Sequence, residues 1–264
     1  MSLTDEQIER YSRNIALKEL GPEGQERIRA GKVLIIGAGG LGSPAALYLA
    51  AAGIGALGIV DSDRVELNNL QRQILHNISS LGQEKTLSAA QRIRLLNPDV
   101  EVRMWQVKFS AENALELVRD FDFVIDGSDN FATKFLVNDA CVMAGKPFSH
   151  AGVLGFKGQA MTVIPGRDDS PCLRCVLPEI PSQDETPTCA QSGVLGPVAG
   201  TLGTIQATEA IKVLTRVGEP LLGRLLHLDA LAMKFQTVEL KRDPACPVCS
   251  AKPQITSLEK QAYE

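Results

Sequence analysis

The sequence predicts an α/β fold: a mostly parallel sheet with helices on both faces, extended by antiparallel strands and carrying a structural zinc site. Short apolar runs alternate with helical segments through the first half of the chain, which is typical of a parallel sheet. A glycine-rich stretch, Gly37-Ala38-Gly39-Gly40-Leu41-Gly42, lies directly between one such run and a helix. Two Cys-x-x-Cys pairs and further apolar runs follow in the second half, and these runs indicate the added strands.

The first sixty residues contain a helical segment and a βαβ unit. An amphipathic helix is predicted over residues 5–30, with a break at Gly21-Pro22. The uncharged stretch 33–60 is long enough to span a membrane. Seven glycines and Pro44 interrupt it, however. These residues divide it into a strand, a helix and a second strand of a buried unit. We therefore expect strands at 33–36 and 57–60, with a helix at 44–52.

The later elements follow from helix terminators and apolar runs. Pro98 lies beyond a helix at 85–96, and Gly145 and Pro147 stop another at 132–144. The other predicted helices span 111–119 and 201–215. The other predicted strands span 101–107, 121–126, 148–151, 159–164, 225–228 and 235–240. Residues 178–192 are rich in Pro, Ser and Thr and predict a mobile loop, and the last dozen residues predict a frayed end.

Composition and charge exclude several classes of function. Lys and Arg total 27 against 31 Asp and Glu, giving a net charge of −4, so no basic patch indicates a nucleic-acid partner. The N-terminus is polar and acidic, unlike a signal peptide. We therefore expect a cytoplasmic protein that binds neither nucleic acid nor membranes.

The glycine-rich stretch matches the G-x-G-x-x-G pattern of a Rossmann-like nucleotide site. The glycines of this pattern allow close approach to phosphates at a helix N-terminus. They are Gly37, Gly39, Gly40 and Gly42. Asp61 follows 19 residues after Gly42, where an acidic residue usually binds a ribose hydroxyl. On this motif alone, NAD or FAD is the first expectation.

The segment after the second strand favours a triphosphate instead. Residues 61–73 are dense in polar groups, and Arg72 can clamp a phosphate with two hydrogen bonds. Asn69 is a further donor, and Lys85 opens the next helix as another cation. A dinucleotide diphosphate is often held by the glycine loop alone, so several added cations suggest a triphosphate. The alternative is that Arg72 and Lys85 are solvated surface charges.

The sequence resembles the MoeB/ThiF/HesA family of adenylyltransferases, kin to the ubiquitin-activating enzymes, over nearly its whole length. The motifs that carry the resemblance are Arg10-Tyr11-Ser12-Arg13, the glycine loop, Asn69-Leu70-Gln71-Arg72-Gln73, Asp126-Gly127-Ser128-Asp129-Asn130 and both cysteine pairs. Members activate small ubiquitin-like sulfur-carrier proteins that end in Gly-Gly, in molybdopterin or thiamine biosynthesis.

The resemblance implies a residue set for ATP and Mg²⁺. With the neighbouring motif residues, the nucleotide-binding positions are Gly37, Gly39, Gly40, Gly42, Asp61, Asp63, Asn69, Leu70, Gln71, Arg72, Lys85, Asp129 and Asn130. Arg13 would reach the site of a neighbouring subunit, which implies a homodimer. The catalytic set is then Arg13, Arg72, Lys85 and Asp129.

The resemblance also implies one adenylation domain over residues 1–264. Its parts would be a helical segment 1–30, a nucleotide-binding core 31–165, a zinc-stapled part 166–250 that includes the loop 178–192, and a tail 251–264.

The implied reaction is adenylation of a C-terminal carboxylate with release of pyrophosphate. The nucleophile is already ionised at pH 7, so the reaction needs charge neutralisation rather than a general base. Asp129 follows a predicted strand, where α/β sites form and where a carboxylate suits Mg²⁺. It can also act as the N-cap of the next helix. Asp126 is the weaker candidate.

The two cysteine pairs predict a metal site. Cys172, Cys175, Cys246 and Cys249 form C-x₂-C…C-x₂-C, a local spacing that suits tetrahedral Zn²⁺. The long stretch between the pairs leaves a redox role open.

The unpaired cysteines and the histidines are interpreted one by one. Cys189 lies in the Pro-, Ser- and Thr-rich loop, where an exposed thiol can act as a nucleophile. ThiF-like relatives form a covalent link to the carrier at a matching cysteine, whereas the MoeB-like reaction does not need one. Both alternatives stay open. Cys141 is expected in the core, and His76 and His150 in packing or hydrogen bonds.

Two functions remain as hypotheses from the sequence. The first is the ATP-dependent adenylyltransferase, with ATP, Mg²⁺ and Zn²⁺ as its cofactors. The second is an NAD(P)-dependent oxidoreductase that uses the same glycine loop. The polar segment 61–73 favours the first, because it has a purpose in an ATP site and none in hydride transfer.

Overall fold

The sheet is the centre of the molecule. The structure, a computed structural model, describes residues 3–181 and 192–263. Its strands in this part of the chain are β1 (Lys32–Ile36), β2 (Ala56–Val60), β3 (Glu101–Trp105), β4 (Phe123–Asp126), β5 (Phe148–Leu154), β6 (Lys157–Val163), β7 (Arg224–Asp229) and β8 (Lys234–Glu239). They form one mixed sheet in the order β3-β2-β1-β4-β5-β6-β7-β8.

The first five strands of this order are parallel and the last three are antiparallel additions. β1 pairs in parallel with β2 on one side and β4 on the other, and β5 pairs in parallel with β4. β6, β7 and β8 follow as antiparallel strands, with β5–β6 and β7–β8 as the two hairpins. This arrangement confirms the mixed α/β sheet expected from the sequence.

Helices cover both faces of the sheet. The described helices are α1 (Asp5–Arg10), α2 (Ser12–Ile15), α3 (Gly21–Ala30), α4 (Gly42–Ala51), α5 (Lys85–Leu96), α6 (Ala114–Arg119), α7 (Phe131–Ala144), α8 (Leu173–Val176) and α9 (Gly196–Thr215). Side chains alternate along β1, as the pleat of a strand requires. Leu34 and Ile36 pack with α6 and α7, whereas Val33 and Ile35 pack with α4, α5 and α9.

Most element boundaries agree with the sequence prediction, but the N-terminal helix does not. Residues 5–30 form three helices rather than one, since the chain turns at Tyr11 and again before Gly21. Tyr11 is buried and its hydroxyl accepts a hydrogen bond of 2.8 Å from Asn97 Nδ2. Gly21 has a φ of +60°, which favours glycine. Among the described helices, none is both long and apolar enough to cross a membrane.

The C-terminal segment packs on the domain rather than fraying. Residues 260–263 form a 3₁₀ turn, and Tyr263 is buried. Its hydroxyl donates a hydrogen bond of 2.7 Å to Asp139 Oδ2 on α7. Asp139 also pairs with Arg174 at 2.7 Å, so one buried carboxylate joins α7, the tail and α8. The predicted frayed end is therefore wrong. Of the predicted loop 178–192, residues 182–191 lie outside the described residues.

We expect the substitution Tyr263→Phe to lower the free energy of unfolding by about 1.5–3 kcal/mol. The change removes a hydrogen bond to a charged group and leaves a buried acceptor with one partner fewer. Urea denaturation followed by circular dichroism measures the loss. Tyr48→Phe, which alters an exposed tyrosine, is the matched control and should leave the midpoint unchanged. Equal midpoints for both variants would contradict the packed tail.

Candidate active site

The candidate site lies where the carboxyl ends of β1, β2 and β4 meet. Gly37 follows β1, Asp61 follows β2 and Gly127 follows β4. The backbone joins these ends, because Gly37 N donates to Val60 O at 2.8 Å and Gly127 N donates to Ile36 O at 2.9 Å. The chain winds away from β1 in both directions at this point, which is where ligands bind in open α/β sheets.

Two glycines of the loop are required by packing. Gly37 has a φ of +94°, a conformation that side chains disfavour. A Cβ at Gly42 would lie 1.9 Å from the carbonyl oxygen of Gly37, so only glycine lets the start of α4 turn this tightly. At Gly39 the nearest atom to such a Cβ is Gln73 Nε2, at 3.8 Å. Packing does not demand glycine there, so the missing side chain leaves the loop surface open for a ligand.

Asp61 accepts hydrogen bonds from the backbone beside the glycine loop and within it. Its Oδ2 accepts a hydrogen bond of 2.8 Å from Ala38 N, and its Oδ1 accepts one of 2.8 Å from Asp63 N. The carboxylate therefore fixes the direction of the loop backbone. Asp61 thus lies against the loop and has a structural role there, while its contact with a ribose hydroxyl stays a prediction.

Lys85 is a buried cation at the start of α5. Its side chain is 6% exposed, and its Nζ lies 2.8 Å from Asp63 Oδ2. The backbone is joined as well, since Lys85 N donates to Asp63 O at 3.0 Å. A solvated surface charge would not be held in this way, so that alternative is wrong for Lys85.

The segment 67–72 brings Arg72 against the glycine loop. Residues Leu67–Asn69 form a 3₁₀ turn in which Asn69 Oδ1 accepts a hydrogen bond of 3.1 Å from Glu66 N. Arg72 Nη1 donates to Asn68 O at 3.1 Å. A Cβ at Gly40 would lie 3.4 Å from Arg72 Cγ, so the arginine stem packs beside the loop. Leu70 is half-buried and Gln71 is exposed.

The structure shows which of the neighbours Asp129 and Asn130 is the N-cap of α7. Asn130, not Asp129, is the N-cap of α7, because its Oδ1 accepts a hydrogen bond of 2.8 Å from Thr133 N. Asp129 is exposed, and its Oδ1 receives a weak contact of 3.4 Å from Asn130 Nδ2. An exposed carboxylate at the end of β4, next to the glycine loop, fits a magnesium ion.

Asp126 is not a ligand candidate. It is fully buried at the end of β4, with Lys134 Nζ at 3.2 Å and His150 Nδ1 at 2.8 Å from its Oδ2. Its carboxylate is thus directed into the protein, which agrees with its place in the sequence analysis as the weaker of the two aspartate candidates for Mg²⁺.

His76 is a site residue that the sequence analysis did not place. Its Nε2 lies 3.0 Å from Ala38 O, and its Nδ1 lies 2.9 Å from Ser88 Oγ on α5. Burial lowers the pKa of His76, so the neutral ring ties the glycine loop to the helix that carries Lys85. The expected hydrogen-bonding role of His76 and His150 is confirmed, and Cys141 is buried in the core as expected. In the sequence, the position of His76 three residues after Gln73 is the one indication that it contacts the loop.

Arg13 lies at the opposite edge of the sheet. Tyr11, two residues earlier, packs on Gly53, where an added Cβ would lie 2.3 Å from Tyr11 Cζ. On the other side, Asn14 donates to Gln25, which in turn donates to Ala52 O just after α4. These contacts place α2 near the amino end of β2, whereas the site lies at its carboxyl end. The exposed Arg13 is thus not brought together with the other predicted site residues of its own chain.

The four cysteines of the two pairs converge. Their Sγ atoms all lie within 4.8 Å of one another. Contacts between the pairs, 3.6 Å for Cys172–Cys246 and 3.4 Å for Cys175–Cys249, are shorter than the 4.0 Å within the first pair. A tetrahedral ion with Zn–S bonds of about 2.3 Å places its sulfurs about 3.8 Å apart. The cluster therefore fits a shared metal ion better than two separate redox pairs.

Four cysteine side chains are a common ligand set of a structural zinc ion. Hydrogen bonds among the four thiols lower the pKa of Cys246 and Cys249 and raise that of Cys172. Cys189, for which the sequence leaves a nucleophilic role open, lies outside the described residues.

Two concavities of the described chain lie away from this site. One of about 360 Å³ is lined by Leu17, Leu20 and Ile211, and one of about 720 Å³ is lined by Arg29, Gly55 and other residues near the amino ends of the strands.

The sequence and the fold are similar to those of known proteins. The chain is 49% identical over 249 residues to the SAMP-activating enzyme E1 of Haloferax volcanii, covering 94% of this chain and 91% of that protein. It is 44% identical over 268 residues to the sulfur carrier protein adenylyltransferase of Thermus thermophilus, covering 100% and 98%. The crystal structure of E. coli MccB with MccA-N7isoASN superposes with a TM-score of 0.80 at 25% identity, covering 92% of this chain and 74% of that chain.

The family follows from these matches. The sequence matches the ThiF family over residues 11–248, which is nine-tenths of its length. The two relatives are matched at 44–49% identity over almost their whole length. The resemblance to MoeB- and ThiF-type adenylyltransferases is thereby confirmed, and the chain belongs to the ThiF family.

Proposed function

We propose that this chain transfers AMP from ATP to the C-terminal Gly-Gly carboxylate of a small ubiquitin-like sulfur-carrier protein and releases pyrophosphate. The observation that carries this proposal is the meeting of the glycine loop, Arg72, Lys85 and Asp129 at one edge of the sheet. The names of the Haloferax and Thermus relatives, an activating enzyme and a sulfur carrier protein adenylyltransferase, support it. Neither name describes hydride transfer, so these relatives do not support the oxidoreductase alternative.

Each part of the site has a task in this reaction. The half-buried glycines of the loop and the N-terminus of α4 offer backbone N–H groups to the phosphates. Arg72 and Lys85 supply positive charge to the triphosphate, whose leaving group is pyrophosphate. Asp129 would hold Mg²⁺, which neutralises charge on the phosphate oxygens. The attacking carboxylate is ionised at neutral pH, so the chain needs no general base.

The same edge of the sheet suits a protein substrate. β5 pairs with β4 only as far as His150 and then continues to Leu154, so the β5–β6 turn lies beyond the end of β4, on the side of the glycine loop. Lys157, just after that turn, pairs with Asp229, which brings the β7–β8 turn to the same level. Leu154 and Phe156 on the first tip, and Met233 beside the second, are exposed apolar side chains. We propose that this apolar edge receives the body of the carrier while its C-terminus enters the site.

We expect the protein to bind ATP with Mg²⁺ and to have no useful affinity for NAD. Isothermal calorimetry with each nucleotide measures the difference. Asp129→Ala should abolish ATP–pyrophosphate exchange with the melting temperature unchanged, because Asp129 is exposed and caps no helix. Glu116→Ala on α6 provides a control that removes a carboxylate elsewhere. Tight NAD binding without ATP binding, or exchange retained by Asp129→Ala, would contradict the assignment.

We also propose one structural zinc ion per chain, bound by Cys172, Cys175, Cys246 and Cys249. Metal analysis of protein purified without chelator should give one zinc per chain. Cys246→Ser should lose that zinc and melt at a lower temperature while its ATP affinity changes little, since the cluster contacts neither the glycine loop nor Asp129. Cys141→Ala removes a buried thiol outside the cluster and should retain the metal. Zinc-free protein, or loss of ATP affinity without a change in melting, would count against this role.

The position of Arg13 supports a homodimer in which each arginine completes the partner's site. A cation at the amino edge of its own sheet has no use in its own ATP site. A two-fold dimer, the commonest soluble assembly, can bring it to the partner's phosphates. The cytoplasmic location expected from the sequence remains part of the proposal.

A mixing experiment tests the role of Arg13. Homodimers of Arg13→Ala and of Asp129→Ala should each be inactive in exchange. After subunit exchange, mixed dimers should regain activity, because one of their two sites has both residues. Mixing Lys18→Ala, an exposed charge on the same segment, with Asp129→Ala controls for dilution of the inactive chain. No recovery between the two inactive variants, despite mass-spectrometric proof of mixed dimers, would show that Arg13 does not act across the interface.

A further inference from the structure

A closed cluster of buried charges lies directly beneath the loop that carries Asp129. Its members are Asp126 at the end of β4, Lys134 in α7 and His150 on β5, each less than a tenth exposed. None of them is exposed to a ligand at the site, and the reaction proposed above uses none of them. Burying such groups costs free energy unless they are paired, so the geometry of their pairing matters.

The carboxylate of Asp126 is the hub of this cluster. Its Oδ2 accepts hydrogen bonds from His150 Nδ1 at 2.8 Å and from Lys134 Nζ at 3.2 Å. Its Oδ1 accepts hydrogen bonds from Ser128 N at 3.1 Å and from Ser128 Oγ at 2.5 Å. One oxygen is therefore tied to the scaffold, and the other is tied to the residue next to Asp129.

The chain before the loop is held through the backbone of Asp126, and the helix after the loop is held through the side chain of Lys134. Gln206 Nε2 on α9 donates to Asp126 O at 2.9 Å and to Ser149 O at 3.0 Å. Lys134 Nζ also donates to Ala151 O at 2.6 Å. The four residues 127–130 thus span two anchored points, and Ser128 is the one whose side chain returns to the hub.

The charge state of the cluster is consistent with this geometry. Burial raises the pKa of Asp126, but Lys134, His150 and Ser128 together hold it well below its ordinary value. Burial lowers the pKa of His150, which therefore donates as a neutral ring. The ionised carboxylate and the lysine cation neutralise each other, so the hub persists across the neutral pH range.

We infer that Asp126, held by Lys134 and His150, is a positioning residue that acts through Ser128 to set the direction of Asp129. This inference rests on the proposed function. An exposed carboxylate that must meet a magnesium–triphosphate complex depends on the groups that orient its backbone, and such supporting contacts change metal affinity by about 10- to 100-fold. Asp126 thus contributes to magnesium and ATP binding without touching either.

Ser128→Ala is the sharpest test, because it removes one hydrogen bond of the hub and leaves the buried charges paired. We expect the magnesium concentration for half-maximal ATP–pyrophosphate exchange to rise about 10-fold, with the KM for the carrier unchanged. Calorimetry of ATP binding should show the same loss in the presence of Mg²⁺ and none in EDTA. The melting temperature should match that of the control below.

Ser149→Ala is the matched control. Ser149 is also a buried serine, and its Oγ donates to Met161 O at 3.3 Å, outside the hub. It should lose a similar increment of stability and keep the wild-type magnesium dependence. As a second pair, His150→Ala should reproduce the Ser128→Ala shift, whereas His150→Asn, which retains a donor near Nδ1, should restore it in part.

The outcomes separate this inference from the proposed function. Wild-type protein without exchange for any carrier ending in Gly-Gly would remove the proposed function. Active wild-type protein in which Ser128→Ala and Ser149→Ala share the same magnesium dependence would remove the positioning role. Activity losses that merely follow the melting temperature in both serine variants would also overturn it, because they would show a structural contribution alone.

Discussion

The close approach of the chain after β1 and after β4 is the constraint on which the site depends. Gly127 N bonds to Ile36 O, and a Cβ at Gly127 would lie 2.9 Å from the carbonyl oxygen of Gly37. Only residues without side chains allow two loops to meet so closely. This contact brings the phosphate-facing backbone of one loop beside Asp129 of the other, although more than eighty residues separate them in sequence.

Around that contact, three polar side chains form hydrogen bonds with the backbone of the loops and fix its course. Asp61 holds Ala38 N, and His76 holds Ala38 O. Asp126 holds Ser128 in the same manner. Loops are ordinarily the least fixed part of a fold, so anchors of this kind let ligand-binding groups keep a defined geometry. The tail and the cysteine cluster connect to the same scaffold, because Asp139 on α7 pairs with both Arg174 and Tyr263.

The sequence predicted the features that depend on interactions between residues close together in the chain. The helix at 85–96 was predicted with the bounds that the structure shows, and the glycine loop lies between strand and helix as its spacing requires. The four cysteines converge across 70 intervening residues because β7 and β8 bring the chain back. Long-range pairings were beyond the sequence. Nothing local shows that Lys85 pairs with Asp63 or that Tyr263 pairs with Asp139. The N-cap of α7 is a local feature, but Asp129 and Asn130 are both favoured cap residues, and the sequence alone did not decide between them.

In the proposed reaction, this edge of the sheet transfers AMP from ATP to the C-terminal carboxylate of a protein and releases pyrophosphate. The most direct measurement is ATP–pyrophosphate exchange by the purified wild-type chain with a ubiquitin-like sulfur carrier, compared with the same carrier lacking its two terminal glycines. We expect exchange with the intact carrier, none with the truncated one, and an AMP adduct on the intact carrier by mass spectrometry. Exchange that is indifferent to the Gly-Gly terminus, or that occurs without any carrier, would contradict it.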